Sequence, residues 1–280
     1  IDPPPPNPTA AAATPARVGQ PGPPYRNWWT WETPNFRIFH KDYDLAERVA
    51  RAAEEAREHL IRRWSGTGPR GTWSPKCDIY LYPTAEVFQA ETQQPPDSPG
   101  FSNIVLNPGR VDGRRINVNL DARSHRPDLI SALLPHELTH IVLADSFTAQ
   151  QIPRWADEGM ACLAEPPAEQ QRRATDLAKH LDNNLLFHLD ALMGVSDYPD
   201  GKHWELFYAQ SVSLTRFLVE RGTPAQFVRF VQAAQRNGYD AELRRVYKID
   251  GLAALERQWL AHVRKNATAV AAASDSKERR

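Results

Sequence analysis

A chain of 280 residues with 34 Lys and Arg against 34 Asp and Glu carries no formal net charge. That length can bury a core for one large domain or two subdomains. The charge balance argues against a nucleic-acid-binding surface, which needs a clustered basic excess, and no apolar run approaches the roughly 20 residues of a membrane helix.

The chain opens with "IDPPPPNPTAAAATPARVGQPGPP", nine prolines in 24 residues. Such a composition cannot build a packed core, so residues 1–24 are expected to form an extended, disordered tether. Tethers of this kind often follow a removed export signal, which makes an exported location (periplasmic, extracellular or cell-surface) the expectation. From residue 25 to about 150 the pattern predicts an α/β subdomain. Alternation around Phe36 to Phe39 gives a short strand. A helix follows, with Leu45, Val49, Ala52, Ala56, Leu60 and Trp64 three or four apart and Gly66 as its stop. "KCDIYLYP" predicts a strand closed by Pro83, and "TAEVFQAE" a short helix capped by Thr84. Two more strands are predicted near 103–106 and 115–120, with the Asp-Gly of "VDGR" as their hairpin turn.

From Asp128 onward the pattern is mostly helical. Helices are predicted over 128–144, 153–165, 167–182, 202–220, 223–236, 239–247 and 251–264. The helical subdomain thus covers 151–265, and composition marks 266–280 as a disordered tail. The two cysteines, Cys77 and Cys162, form no Cys-x-x-Cys pair. They are either plain buried residues or, in an exported protein, partners in one disulfide.

Chemistry concentrates in "LLPHELTHIVLAD", residues 133–145. Two histidines, a glutamate and a threonine lie inside an apolar run, which is costly unless something pairs with them. Residues four apart share a helix face, so His136 and His140 can aim both imidazoles at a single Zn²⁺. Glu137 follows the first ligand and is placed to take a proton from metal-bound water. The bland alternative is a buried helix that carries two histidines by chance, and a third ligand decides between them. A continuation His-x-x-Gly-x-x-His is excluded, because Leu143 and Ser146 stand at those positions. Asp145 is turned off the histidine face and suits a helix cap. Glu158, on a helix opened by Pro153, returns a carboxylate within an ordinary connection length. Pro135 lacks an amide hydrogen, so the helix is kinked there or begins there.

His136-Glu-Leu-Thr-His140, followed by Trp155-Ala-Asp-Glu158-Gly-Met-Ala161 with 17 residues between His140 and Glu158, resembles the gluzincin metallopeptidases. The pattern is most similar to the aminopeptidase N type and to peptidase-MA-like bacterial proteins. The resemblance implies an α+β fold: a thermolysin-like zincin domain with a small mixed sheet, the zinc helix and a mainly helical C-terminal half. It implies zinc held by His136, His140 and Glu158 over roughly residues 35–264. It also implies a tyrosine oxyanion donor on a later helix. Tyr208 matches, with a core aromatic beside Trp204 and Phe207 as the equal alternative and His203 as a second candidate donor. The family's Gly-x-Met-Glu-Asn segment, which grips a free amino terminus, is absent. Cys162 stands where thermolysin has the aspartate that orients a zinc histidine, leaving Asp157 or a backbone carbonyl for that task. An edge strand that pairs with substrate is expected beside the zinc helix, with "RRINVNL" either as that strand or as an ordinary sheet strand. The expected protein is a monomeric, zinc-dependent peptidase acting on peptides or proteins. The alternative is a peptidase-like binding or cell-surface module without activity.

Overall fold

The computed structural model describes residues 28–122, 128–196, 201 and 203–278. The tether expected over residues 1–24 lies outside them. The chain divides into two compact units, residues 1–151 and 152–280. Both helices and a five-stranded sheet are present, so the fold is mixed α+β.

The first unit is built on that sheet. Its strands are β1 (Trp29–Glu32), β2 (Phe36–His40), β3 (Cys77–Tyr82), β4 (Gly100–Asn107) and β5 (Arg110–Asn119). They lie in the order β1-β2-β3-β5-β4, with β2, β3 and β5 parallel and an antiparallel strand at each edge. All six residues of β3 are buried, so both faces of the sheet are covered. Register puts Phe39 beside Tyr80 on one face, where Tyr82, Phe88 and Phe101 join them. Phe88 comes from α2 (Ala85–Thr92), whose first turn is capped by the Thr84 hydroxyl accepting from the Val87 amide at 3.3 Å. Ile38, Ile79 and Ile116 share the opposite face, toward α1 (Tyr43–Ser65) and α3 (Leu134–Ala144). The first of these helices starts where Asp42 accepts from the Leu45 amide and stops at Gly66, whose φ of 76° is a left-handed cap.

One expectation for this unit changes, and one open alternative is decided. The β4–β5 turn is Asn107-Pro108-Gly109-Arg110, not "VDGR". Asn107 pairs with Arg110, and Gly109 has a φ of 84°. Proline followed by glycine meets the demands of a type II turn better than an Asp-Gly further along. Asp112 is instead the extra residue of a bulge inside β5, because Val105 pairs with Gly113 and Leu106 with Val111. Second, "RRINVNL" is an interior strand. β5 has β3 on one side and β4 on the other, so the edge beside α3 belongs to β4.

The second unit is helical: α4 (Arg154–Cys162), α5 (Pro167–Asp182), α6 (Leu189–Gly194), α7 (Trp204–Val219), α8 (Pro224–Asn237), α9 (Tyr239–Glu242) and α10 (Gly251–Glu278). Sequence periodicity misses α6, which has only six residues. The helix predicted over 239–247 is α9 followed by a π-helical turn, Leu243–Tyr247. The backbone of α10 stays helical through Glu278, across most of the stretch that composition marks as a tail. No helix among the described residues is long and apolar enough to cross a membrane.

Candidate metal centre

In the first unit, α3 carries the first motif. A π-helical turn, Leu129–Leu133, precedes it, capped by the Asp128 carboxylate accepting from the amides of Ile130 and Ser131. Pro135 then occupies the first turn of α3, where its missing amide hydrogen costs nothing. The sequence offers a kink or a start at this point, and the chain combines them: a wide turn, then a fresh helix. Glu137, Thr139 and His140 are buried and His136 is half-buried. Thr139 is satisfied locally, its hydroxyl donating to the Pro135 carbonyl at 2.8 Å. The His136 and His140 rings lie edge to face with centroids 5.1 Å apart, as one helical turn dictates.

The C-terminal end of α3 is tied to the sheet. Asp145 terminates the helix, as its position off the histidine face suggests. Its carboxylate accepts from Arg114 of β5 and from the Trp73 indole at 2.8 Å. Arg57 and Arg114 both lie over the Trp73 ring, at 4.6 and 4.9 Å from its centroid. The histidine-bearing helix is thus pinned to the sheet. Nothing in the local spacing around residues 57, 73, 114 and 145 announces this network, because its members are distant in sequence.

In the second unit, α4 carries the second motif, and every residue from Arg154 to Cys162 is buried. Trp155 anchors the first turn, its indole donating to the Tyr239 hydroxyl at 2.9 Å and its ring meeting Phe227 edge to face. Gly159 accounts for the tight packing of α4 on α7. A Cβ there would stand 2.1 Å from the Thr215 hydroxyl oxygen and 2.7 Å from the Ser211 carbonyl. Glycine is needed for space, not for backbone conformation. Gly159→Ala is expected to destabilise the protein by about 1–3 kcal/mol or more, as overpacking does. Chemical denaturation with an unchanged m-value is the measurement that checks it.

Tyr208 lies on α7, half-buried. Its ring is tilted against Trp204 at 5.3 Å and meets Phe207 edge to face at 5.9 Å. His203 precedes the helix, exposed, with its ring 5.7 Å from Phe187. Asp157 is buried in the first turn of α4. Cys77 and Cys162 are both buried. Burial pushes the Cys77 thiol well up, as suits an inert core residue.

Among the described residues, α3 carries His136 and His140, and α4 carries the buried Glu158. Two imidazoles and a carboxylate are donors that zinc accepts, and three of them leave a coordination position open. The donor chemistry of these three residues therefore fits the ion that the motif implies. Glu165, a buried carboxylate that sequence reasoning missed, is held by Arg173.

A model of the Peptidase MA superfamily matches residues 55–265. The chain belongs to that superfamily. The match covers most of the first unit's helices and sheet, both motifs, and the second unit almost to its end. Membership in the peptidase MA superfamily supports a peptidase, whose substrates are peptides or proteins. No curated protein matches the chain significantly.

Proposed function

We propose that this peptidase MA protein is a zinc-dependent metallopeptidase of the gluzincin type, related in its catalytic plan to thermolysin and aminopeptidase N. The observation that carries the proposal is the pair of His136 and His140 imidazoles one turn apart on α3, ring centroids 5.1 Å apart, in a peptidase MA chain whose second motif carries the buried Glu158. His136, His140 and Glu158 would hold the ion, with Asp157 as a neighbouring carboxylate that helps orient the ligands. A zinc ion bound there would supply Lewis acidity, lowering the pKa of its water toward about 7.

The remaining steps fall to the chain's own residues. Glu137 takes a proton from the attacking water and later hands it to the leaving amine. Its burial, at 4% exposure, excludes bulk water as a competing acceptor. Tyr208 donates its phenolic hydrogen to the oxygen on which charge develops. A neutral donor gains strength as that charge grows, which is where oxyanion stabilisation operates. The edge of β4 supplies backbone groups with which an extended peptide can pair. Without a Gly-x-Met-Glu-Asn segment, nothing in the chain favours amino-terminal over internal or carboxy-terminal cleavage. The proline-rich residues 1–24 support an exported location.

Metal analysis tests the proposal directly. Protein purified without chelator is expected to contain about one zinc per chain, the stoichiometry of a single site with three protein ligands. A zinc content near zero after reconstitution would overturn it. Normal zinc content with no hydrolysis of any peptide in a broad library would favour a binding module instead.

A further inference from the structure

Within the second unit, three elements bring an ion pair onto the face of Tyr208. Glu165 stands in the turn after α4, Arg173 on α5 and Tyr208 on α7. Arg173 meets Glu165 fork to fork, Nε to Oε2 at 3.0 Å and Nη2 to Oε1 at 2.7 Å. Their side chains are only 16% and 8% exposed, so this is not a solvated surface pair. Two parallel bonds fix the plane and direction of the guanidinium as a single contact would not. Its central carbon lies 5.1 Å from the centroid of the Tyr208 ring, within cation–π range. Trp204 holds the same ring at 5.3 Å.

The edge of Arg173 that could grip a substrate carboxylate is already taken by Glu165, so a role in clamping substrate is unattractive. A guanidinium held this way is a fixed plate against an aromatic ring. Burial opposes its charge, while Cys162, Glu165 and Tyr208 favour it, and the balance keeps Arg173 above the ordinary guanidinium value. The cation over the ring is therefore permanent. A phenol that must donate along one direction benefits from a neighbour that prevents its ring from tilting.

We propose that Arg173, clamped by Glu165, is a positioning residue that holds Tyr208 in the orientation from which its hydroxyl serves the oxyanion. The inference rests on Tyr208 being the oxyanion donor, as proposed above. It extends that role to two residues, neither of which lies in the zinc motifs.

A double-mutant cycle tests it. Tyr208→Phe should lower kcat on the order of a hundredfold. Arg173→Met should lower kcat on the order of tenfold through misplacement of the phenol, with KM and zinc content unchanged. The double variant should be no slower than Tyr208→Phe alone, because a misplaced donor and an absent one do not add. A second readout needs no metal. In zinc-free protein labelled with 3-fluorotyrosine, the ¹⁹F line that disappears in Tyr208→Phe should shift and broaden in Arg173→Met while the other tyrosine lines hold. Should Arg173→Met fail to fold, Arg173→Gln keeps a donor toward Glu165 but no cation over the ring, and carries the same expectations. Additive losses in the double variant, or an unmoved ¹⁹F line, would overturn the role of Arg173 while leaving Tyr208 in place. A silent Tyr208→Phe would remove both.

Discussion

Glu137→Gln is expected to yield a folded, zinc-loaded protein that hydrolyses peptides about a hundred- to ten-thousandfold more slowly, the range spanned by loss of a general base. The amide matches the carboxylate in size and so preserves the packing of a side chain that is almost fully buried. It can still accept a hydrogen bond from water but cannot take up the proton. Because Glu137 is not among the three proposed ligands, metal content should stay at the wild-type level. Initial rates on a quenched peptide, read beside elemental analysis of the same sample, separate the two effects. Glu137→Asp should recover part of the rate, since it restores a base at a longer distance from the water. Wild-type turnover in Glu137→Gln would show that another group takes the proton.

The residues that declare the site in the sequence do so because helical periodicity is local. His136 and His140 share a face by virtue of spacing alone, and their rings stand 5.1 Å apart. The helix boundaries at Asp42, Gly66 and Thr84 follow from cap chemistry written in one or two residues. What the sequence hid depends on partners far away in the chain. "VDGR" has a good local turn signal, yet the stronger Pro108-Gly109 signal lies a few residues upstream and sets the register of the hairpin. The interior place of β5 follows from strand order, which no single strand encodes. Gly159 is part of the recognised motif, but its reason, contact with Ser211 and Thr215, requires α7 in place. Arg173 and Glu165 are an ordinary charged pair in the sequence, and become notable only where the Tyr208 ring lies against them. The motif that points to a metal was therefore more legible than the scaffold around it.

Glu158→Ala is expected to act on the metal and not merely on the rate. Glu158 is 1% exposed and is the single carboxylate among the three proposed ligands. Removing it leaves two imidazoles from one helical turn, which hold zinc much less tightly than a closed set of three. Neighbours that only orient a ligand typically contribute ten- to hundredfold in affinity, so loss of a ligand itself should exceed about a hundredfold. The stabilisation that excess zinc gives the wild type should shrink by at least about 2.7 kcal/mol, the linkage equivalent of that factor. Denaturation with and without zinc measures it. Glu158→Gln fills the same volume and offers a weaker oxygen donor, so it should fall between the two and exclude cavity formation as the cause. Asp157→Asn is the internal control. It changes a buried carboxylate one residue away, and should weaken zinc by no more than the ten- to hundredfold of an orienting group. Equal losses in Asp157→Asn and Glu158→Ala would mean that the third ligand has been misassigned. A Glu158→Ala protein that kept its zinc through dialysis would return the His136–His140 pair to a helix that carries two histidines for other reasons.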